Sequence, residues 1–106
     1  MDERYFQRKL IKELNNRYPG CIVLKNDAGY KQGIPDLTIL YKDRWATLEV
    51  KASAKASHRP NQDLRVERMN SMSFSAFIFP ENKEEILNEL DGHFTCSILS
   101  KPTSMA

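Results

Sequence analysis

Asp36, Glu49 and Lys51 are the residues of this 106-residue chain whose types and order suit chemistry. Gly33-Ile34-Pro35-Asp36 opens one apolar run, and Glu49-Val50-Lys51 closes the next, with Glu49 thirteen positions after Asp36. If the two runs pair as a hairpin, the start of the first lies beside the end of the second, and two carboxylates converge at one edge of a sheet. Carboxylates so placed repel each other unless a cation joins them. Mg²⁺ or Mn²⁺ prefers oxygen ligands and is held by one or two carboxylates together with water and phosphate. Such an ion activates a water and neutralises charge on a scissile phosphate. Lys51 lies two residues after Glu49, so both side chains leave the same face of the strand. Its ammonium would orient the attacking water or stabilise charge on the phosphate. The carbonyl of Val50, between them, is a further candidate ligand. Each fragment alone is ordinary. A Glu-x-Lys commonly marks a solvated face with a weak ion pair, and Pro-Asp commonly precedes a strand. The signal is the combination on adjacent predicted strands.

The elements that must position these residues are legible along the chain. Asp2 is placed to cap a helix running to about Arg17, with Phe6, Leu10 and Leu14 at helical spacing and Pro19-Gly20 as the stop. Cys21 to Leu24 reads as a strand, rich in β-branched residues. Asp27 to Pro35 is a glycine-containing loop, Leu37 to Tyr41 a second strand, Lys42-Asp43-Arg44 a hairpin turn and Trp45 to Lys51 a third strand. After a polar loop from Ala52 to Arg59, Pro60 suits the first turn of a helix ending near Met72. Phe74 to Phe79 is apolar enough for a strand buried on both faces. Asn82 and Glu85 form a capping-box-like start for a short helix to Leu90, ended by Gly92. Phe94 to Leu99 reads as a last strand. The order αβββαβαβ predicts an α/β fold, a mixed β-sheet flanked by helices. It forms a single domain over residues 1–100, followed by a flexible tail over 101–106.

Composition fits one such domain. Hydrophobic residues make up 41% and charged residues 28%, which is enough for one core and too polar for a membrane span. The charged N-terminus lacks the apolar stretch of a signal peptide, so the expected location is cytoplasmic. Cys21 and Cys96 stand apart from any CxxC or histidine pair and are expected as small core residues on strands. The net charge of +2 says little about partners, but its distribution says more. Lys51 to Arg68 holds five basic residues against two acids, and Glu81 to Asp91 holds five acids against one lysine. One end of the molecule suits a polyanion while the other suits water.

Gly-Ile-Pro-Asp followed by Glu-Val-Lys resembles the signature of the PD-(D/E)xK nuclease superfamily and, more narrowly, of its stand-alone VRR-NUC (virus-type replication-repair nuclease) domains. The resemblance runs from Glu3 to about Phe79. It implies a restriction-endonuclease-like core with Asp36 and Glu49 as ligands of Mg²⁺ or Mn²⁺ and Lys51 as the catalytic lysine. It also matches Glu3 to a glutamate on the first helix and Gln62 to a glutamine on the helix after the lysine. The residue pattern speaks to the last two directly. Glu3 shares a helical face with Phe6, Leu10 and Leu14, and Gln62 shares one with Val66 and Met69, so both would point at the sheet. The competing account makes each a solvated first-turn residue.

Around this set, Lys25, Tyr30, Lys31, Lys55, His58, Arg59 and Arg65 are the candidates to grip nucleic acid, by phosphate contacts or by stacking. Trp45 suits a core or a subunit interface. The expected function is a metal-dependent endonuclease that hydrolyses DNA phosphodiester bonds. It would select structure (a Holliday junction, flap or fork) in replication, recombination or repair, because the chain has no room for a separate recognition domain. The resemblance also implies a homodimer. No membrane and no small-molecule cofactor is expected. Three alternatives remain open: a sequence- or mismatch-directed restriction-like nuclease, a non-catalytic nucleic-acid-binding module of the same fold, and an α/β interaction domain whose carboxylates lie on solvent.

Overall fold

A computed structural model describes residues 2–95 of the chain. Helix α1 (Glu3–Arg17) leads into strands β1 (Ile22–Lys25), β2 (Leu37–Tyr41) and β3 (Arg44–Val50). Helix α2 (Gln62–Met72), strand β4 (Ser75–Ile78), a 3-10 turn (Pro80–Asn82) and helix α3 (Lys83–Thr95) follow. The sheet has the order β1-β2-β3-β4, antiparallel from β1 to β3 and parallel between β3 and β4. The described residues therefore form the expected mixed sheet with helices packed on it.

Asp2 caps α1 by accepting the Arg4 N–H at 3.1 Å, which supplies a partner to one of the four N–H groups that open a helix. The helix lays Phe6, Leu10 and Leu14 onto the sheet, where they join Leu37, Ile39, Ala46, Leu48 and Val50. From α3, Ile86, Leu87, Leu90 and Phe94 complete the same core. Removing a side chain as fully buried as Leu14 or Leu87 costs about 2–5 kcal/mol. The β2–β3 hairpin closes through Lys42 and Asp43, and Lys42 takes a positive φ of 58°, the backbone that matches a two-residue turn to the strand twist.

The opposite face of the sheet is polar at its β3–β4 end and carries the exposed apolar side chains of Ile22, Leu24 and Leu40 at its β1–β2 end. Thr47 and Glu49 of β3 and Lys51 just past its end alternate onto this side, and all three are buried. Thr47 donates to the Ser75 hydroxyl across the β3–β4 pair at 2.8 Å. Helix α2, the crossover between the two parallel strands, covers this face with Gln62 and Val66.

Several boundaries differ from the sequence reading. Helix α3 runs through Gly92 to Thr95, so Phe94 and Thr95 are helical and do not begin a last strand. The remainder of that proposed strand, Cys96 and the tail lie outside the described residues. Cys21 is half-buried and sits just before β1. Helix α2 begins at Gln62, two residues after Pro60, because Asn61 adopts a left-handed conformation with φ 75°. Asn82 caps no N–H of α3. Its side chain accepts from the Phe79 N–H at 2.8 Å and donates to the Phe77 carbonyl at 3.1 Å, closing the turn after β4. Strand β4 is fully buried only at Ser75 and Ile78, and Ala76 and Phe77 are partly open.

Candidate active site

The β2–β3 register pairs Leu37 with Leu48. One step further, Asp36 lies opposite Glu49, where directly opposed residues share a face of the sheet. Asp36 Oδ2 accepts the Val50 N–H at 2.9 Å, which fixes the carboxylate against the end of β3. The two carboxyl groups stand near enough for the Asp36 charge to act on Glu49. They line a cleft of about 470 Å³ whose walls also include Glu3, Tyr30, Arg59 and Gln62.

Glu49 is only 3% exposed. Its Oε2 accepts from Gln62 Nε2 at 2.8 Å and lies 3.7 Å from Lys51 Nζ. Its Oε1 is buried and has no hydrogen-bond partner, a costly arrangement for a charged oxygen. Burial, and then the Asp36 charge, push the Glu49 carboxyl up to about 7, while the Lys51 ammonium opposes them. Asp36 is raised by burial as well. The Val50 N–H and the Lys51 and Arg59 charges act against that rise.

Lys51 is held in place from two sides. Its ammonium donates to Gln62 Oε1 at 2.8 Å and to the Ser57 carbonyl at 3.1 Å. Gln62 therefore bridges both chemical residues, giving its amide N–H to Glu49 and its amide oxygen to Lys51. The Arg59 N–H donates to that same oxygen at 2.9 Å, fixing which way the amide faces. A lysine has three donors, and the two used here leave one.

The structure thus brings Asp36, Glu49, Lys51 and Gln62 together. Glu3 is exposed on the first turn of α1, yet it lines the cleft, and its charge adds to the rise at Glu49. Val50 does not line the cleft. Its N–H faces Asp36, so only its backbone turns toward the carboxylates. Arg59 and Tyr30 stand in the cleft wall, and Lys31 lines an adjoining hollow. Lys25 and Lys55 are exposed away from it. Two of the expected phosphate contacts are spoken for. His58 stacks on Phe77 with centroids 4.1 Å apart and pairs with Asp63 at 2.6 Å. Arg65 is half-buried and reaches the Gln32 carbonyl at 3.5 Å, tying α2 to the loop before β2. The part played by Ser57 is a backbone carbonyl, which no side-chain pattern signals. Asn26 holds the same loop through Pro35 O and Thr38 Oγ1. Its only trace in the sequence is an Asn directly after a strand.

Among the described residues, no group of three or more Asp, Glu, His or Cys side chains forms a ready-made metal cage. The donor set nonetheless fits a hard cation that completes its shell with water and phosphate. It offers two facing carboxylates, one with a buried oxygen lacking any partner. No helix among the described residues is long and apolar enough to cross a membrane. No family model matches the chain, and no curated protein or solved structure matches it either.

Proposed function

We propose that this chain is a Mg²⁺- or Mn²⁺-dependent endonuclease that hydrolyses phosphodiester bonds in DNA, with selectivity for structure over sequence. The observation that carries the proposal is the buried Glu49 carboxylate opposite Asp36, with one oxygen (Oε1) lacking any partner and the other (Oε2) 3.7 Å from the Lys51 ammonium. A folded chain keeps such a charged cluster away from water only where something of opposite charge completes it. Asp36, Glu49 and the Val50 carbonyl would hold the ion. When bound, it lowers the pKa of a water and offsets charge on the phosphate. The rest falls to the chain's own groups. Gln62 and Ser57 fix the Lys51 ammonium, leaving one N–H to orient the attacking water or to meet the phosphate oxygen as charge builds on it. Arg59 in the cleft wall draws in the phosphate. The resemblance to the PD-(D/E)xK nucleases and their VRR-NUC branch supports the same assignment of Asp36, Glu49 and Lys51. A homodimer and a role in replication, recombination or repair belong to the same proposal.

The test is incubation with linear, flapped, forked and four-way DNA in Mg²⁺ and in Mn²⁺, with EDTA as control. Cleavage of at least one substrate should need the metal. Asp36→Asn and Glu49→Gln should abolish it with the fold retained by circular dichroism. Lys51→Met should slow a single turnover far more than it weakens binding. A Glu49→Gln protein that cuts at the wild-type rate would exclude Glu49 as an essential ligand.

A further inference from the structure

Tyr30 is 88% exposed, the most exposed of the large apolar and aromatic side chains among the described residues. It sits in the loop between β1 and β2, and its ring stands between two hollows. One is the cleft that holds Asp36, Glu49 and Lys51. The other is an open hollow lined by Asn26, Asp27, Lys31 and Ile34. A solitary exposed tyrosine needs no explanation, but one that lines both a catalytic cleft and a second hollow carrying Lys31 and Asp27 has a definite relation to a strand passing through both.

The loop carrying it is fastened. Asp27 accepts the N–H groups of Tyr30 at 3.1 Å and Lys31 at 3.3 Å through its carbonyl, and that of Gly29 at 2.8 Å through its side chain. Lys31 in turn accepts the Ile34 N–H at 3.3 Å. Gly33, at φ +83°, packs so closely on Asn61 that a Cβ there would lie 3.1 Å from the Asn61 Cβ. Arg65 holds Gln32 from α2. The aromatic ring is therefore presented to solvent from a tied loop, which keeps low the entropy lost when something stacks on it.

The cleft itself limits what can enter. Its carboxylates are recessed, the side chains of Glu49 and Lys51 being 5% and 8% exposed. A volume near 470 Å³ belongs with small-ligand sites of about 300–1000 Å³. That is room for one nucleotide or so, whereas a regular duplex is stiff and keeps its phosphates on a smooth cylinder. A phosphate reaches the recessed pair when its strand can leave that path.

We infer that Tyr30 is a stacking platform for an unpaired nucleotide flanking the scissile phosphate, so that the substrate is a strand with at least one unpaired base at the cut. The inference rests on the nuclease proposal and names the substrate class of that site. The cleft takes the phosphate to be cut. The base next to it unstacks and lies on the Tyr30 ring, and the following phosphate passes Lys31 on the far side. Stacking of this kind tolerates any base, because every base has a π-face.

Two measurements test it. The first is cleavage in Mn²⁺ of one labelled strand presented alone, in a perfect duplex and in a duplex with a one-nucleotide bulge. Wild type should cut the free and bulged strands at least tenfold faster than the duplex. Tyr30→Ala should lose about tenfold on them and little on the duplex, while Tyr30→Phe behaves as wild type. The second is binding without metal to a strand carrying 2-aminopurine at successive positions. Quenching should appear at one position with wild type and Tyr30→Phe and vanish with Tyr30→Ala. Cleavage that ignores pairing, or is insensitive to Tyr30→Ala, overturns the inference and leaves the nuclease proposal standing. Tyr30-dependent quenching with no cleavage of any substrate overturns the nuclease proposal and the substrate class with it, and leaves Tyr30 only as a platform for binding an unpaired base.

Discussion

At the residue scale, Glu49 is the group on which structure and chemistry conflict most directly. Burial and the Asp36 charge disfavour its charged form and push the carboxyl up to about 7. The sign of the consequence follows from linkage. In the unfolded chain a glutamate loses its proton at about 4.3. The folded state holds the proton more tightly, so the stabilisation is full below the unfolded value and is lost as pH rises toward 7. Asp36, also raised by burial, acts in the same direction. In EDTA the wild-type protein should therefore be less stable at pH 8 than at pH 5, by on the order of 2 kcal/mol from Glu49. Glu49→Gln keeps an acceptor for Gln62 and removes the charge. It should raise the melting temperature at pH 8 and change it little at pH 5. Millimolar Mn²⁺ should stabilise the wild type at pH 8 and leave Glu49→Gln unmoved, since a ligand stabilises only the state it binds. Thermal unfolding followed by circular dichroism at the two pH values checks all of this without any turnover. Equal stability of the two proteins at pH 8 would mean that water reaches the carboxylate and no cation is needed.

Elements were legible where local pattern and tertiary demand agree. Strands β2 and β3 alternate as a hairpin should, and their turn is short, so the meeting of Asp36 with Glu49 follows from register alone. The face occupied by Gln62 follows from its spacing with Val66 on α2. The far end of α3 is where pattern and packing part. Glycine is favoured just past a helix end, and a short apolar run such as Phe94 to Leu99 reads equally as strand or helix. The decision comes from across the molecule. Phe94 meets the rings of Tyr18 at 5.0 Å and Tyr41 at 5.4 Å, and only a helix continued through Gly92 carries it there, one turn beyond the buried Leu90. A sequence window around Gly92 contains neither partner. Gly92 is thus a helix-interior glycine kept at a cost in stability. Open space surrounds the position where its Cβ would be. Gly92→Ala should stabilise the protein by about 0.5–1 kcal/mol. A urea titration with an unchanged slope and a later midpoint would record it. A loss of stability would place the end of α3 before residue 92.

For the whole molecule the question is from which side a polyanion approaches. The acidic stretch from Glu81 to Asp91 lies at the 3-10 turn and on α3, which packs with α1 on the apolar face of the sheet. The basic stretch from Lys51 to Arg68 runs from the end of β3 through the loop into α2, on the face that bears Glu49 and beside the cleft. The sequence places the positive charge at the right end of the molecule, yet it does not separate the charges that meet solvent from those that hold the fold. Arg59 is exposed in the cleft wall and acts on the Asp36 charge. Arg65 is half-buried against Gln32, with a buried Nε that has no partner of its own. These two arginines should therefore behave differently. A phosphate contact releases a counterion when it forms, so removing it lowers the slope of log affinity against log salt by about 0.7 for a single strand. Arg59→Ala should weaken DNA binding at low salt and flatten that slope by roughly this amount. Arg65→Ala should leave the slope alone and lower the melting temperature instead, because it unties the loop that bears Tyr30. Fluorescence anisotropy from 50 to 200 mM KCl, the range over which such contacts separate, measures the slopes, and a melt measures the rest. An unchanged slope in Arg59→Ala would carry the DNA backbone past some other part of the surface, away from Asp36 and Glu49.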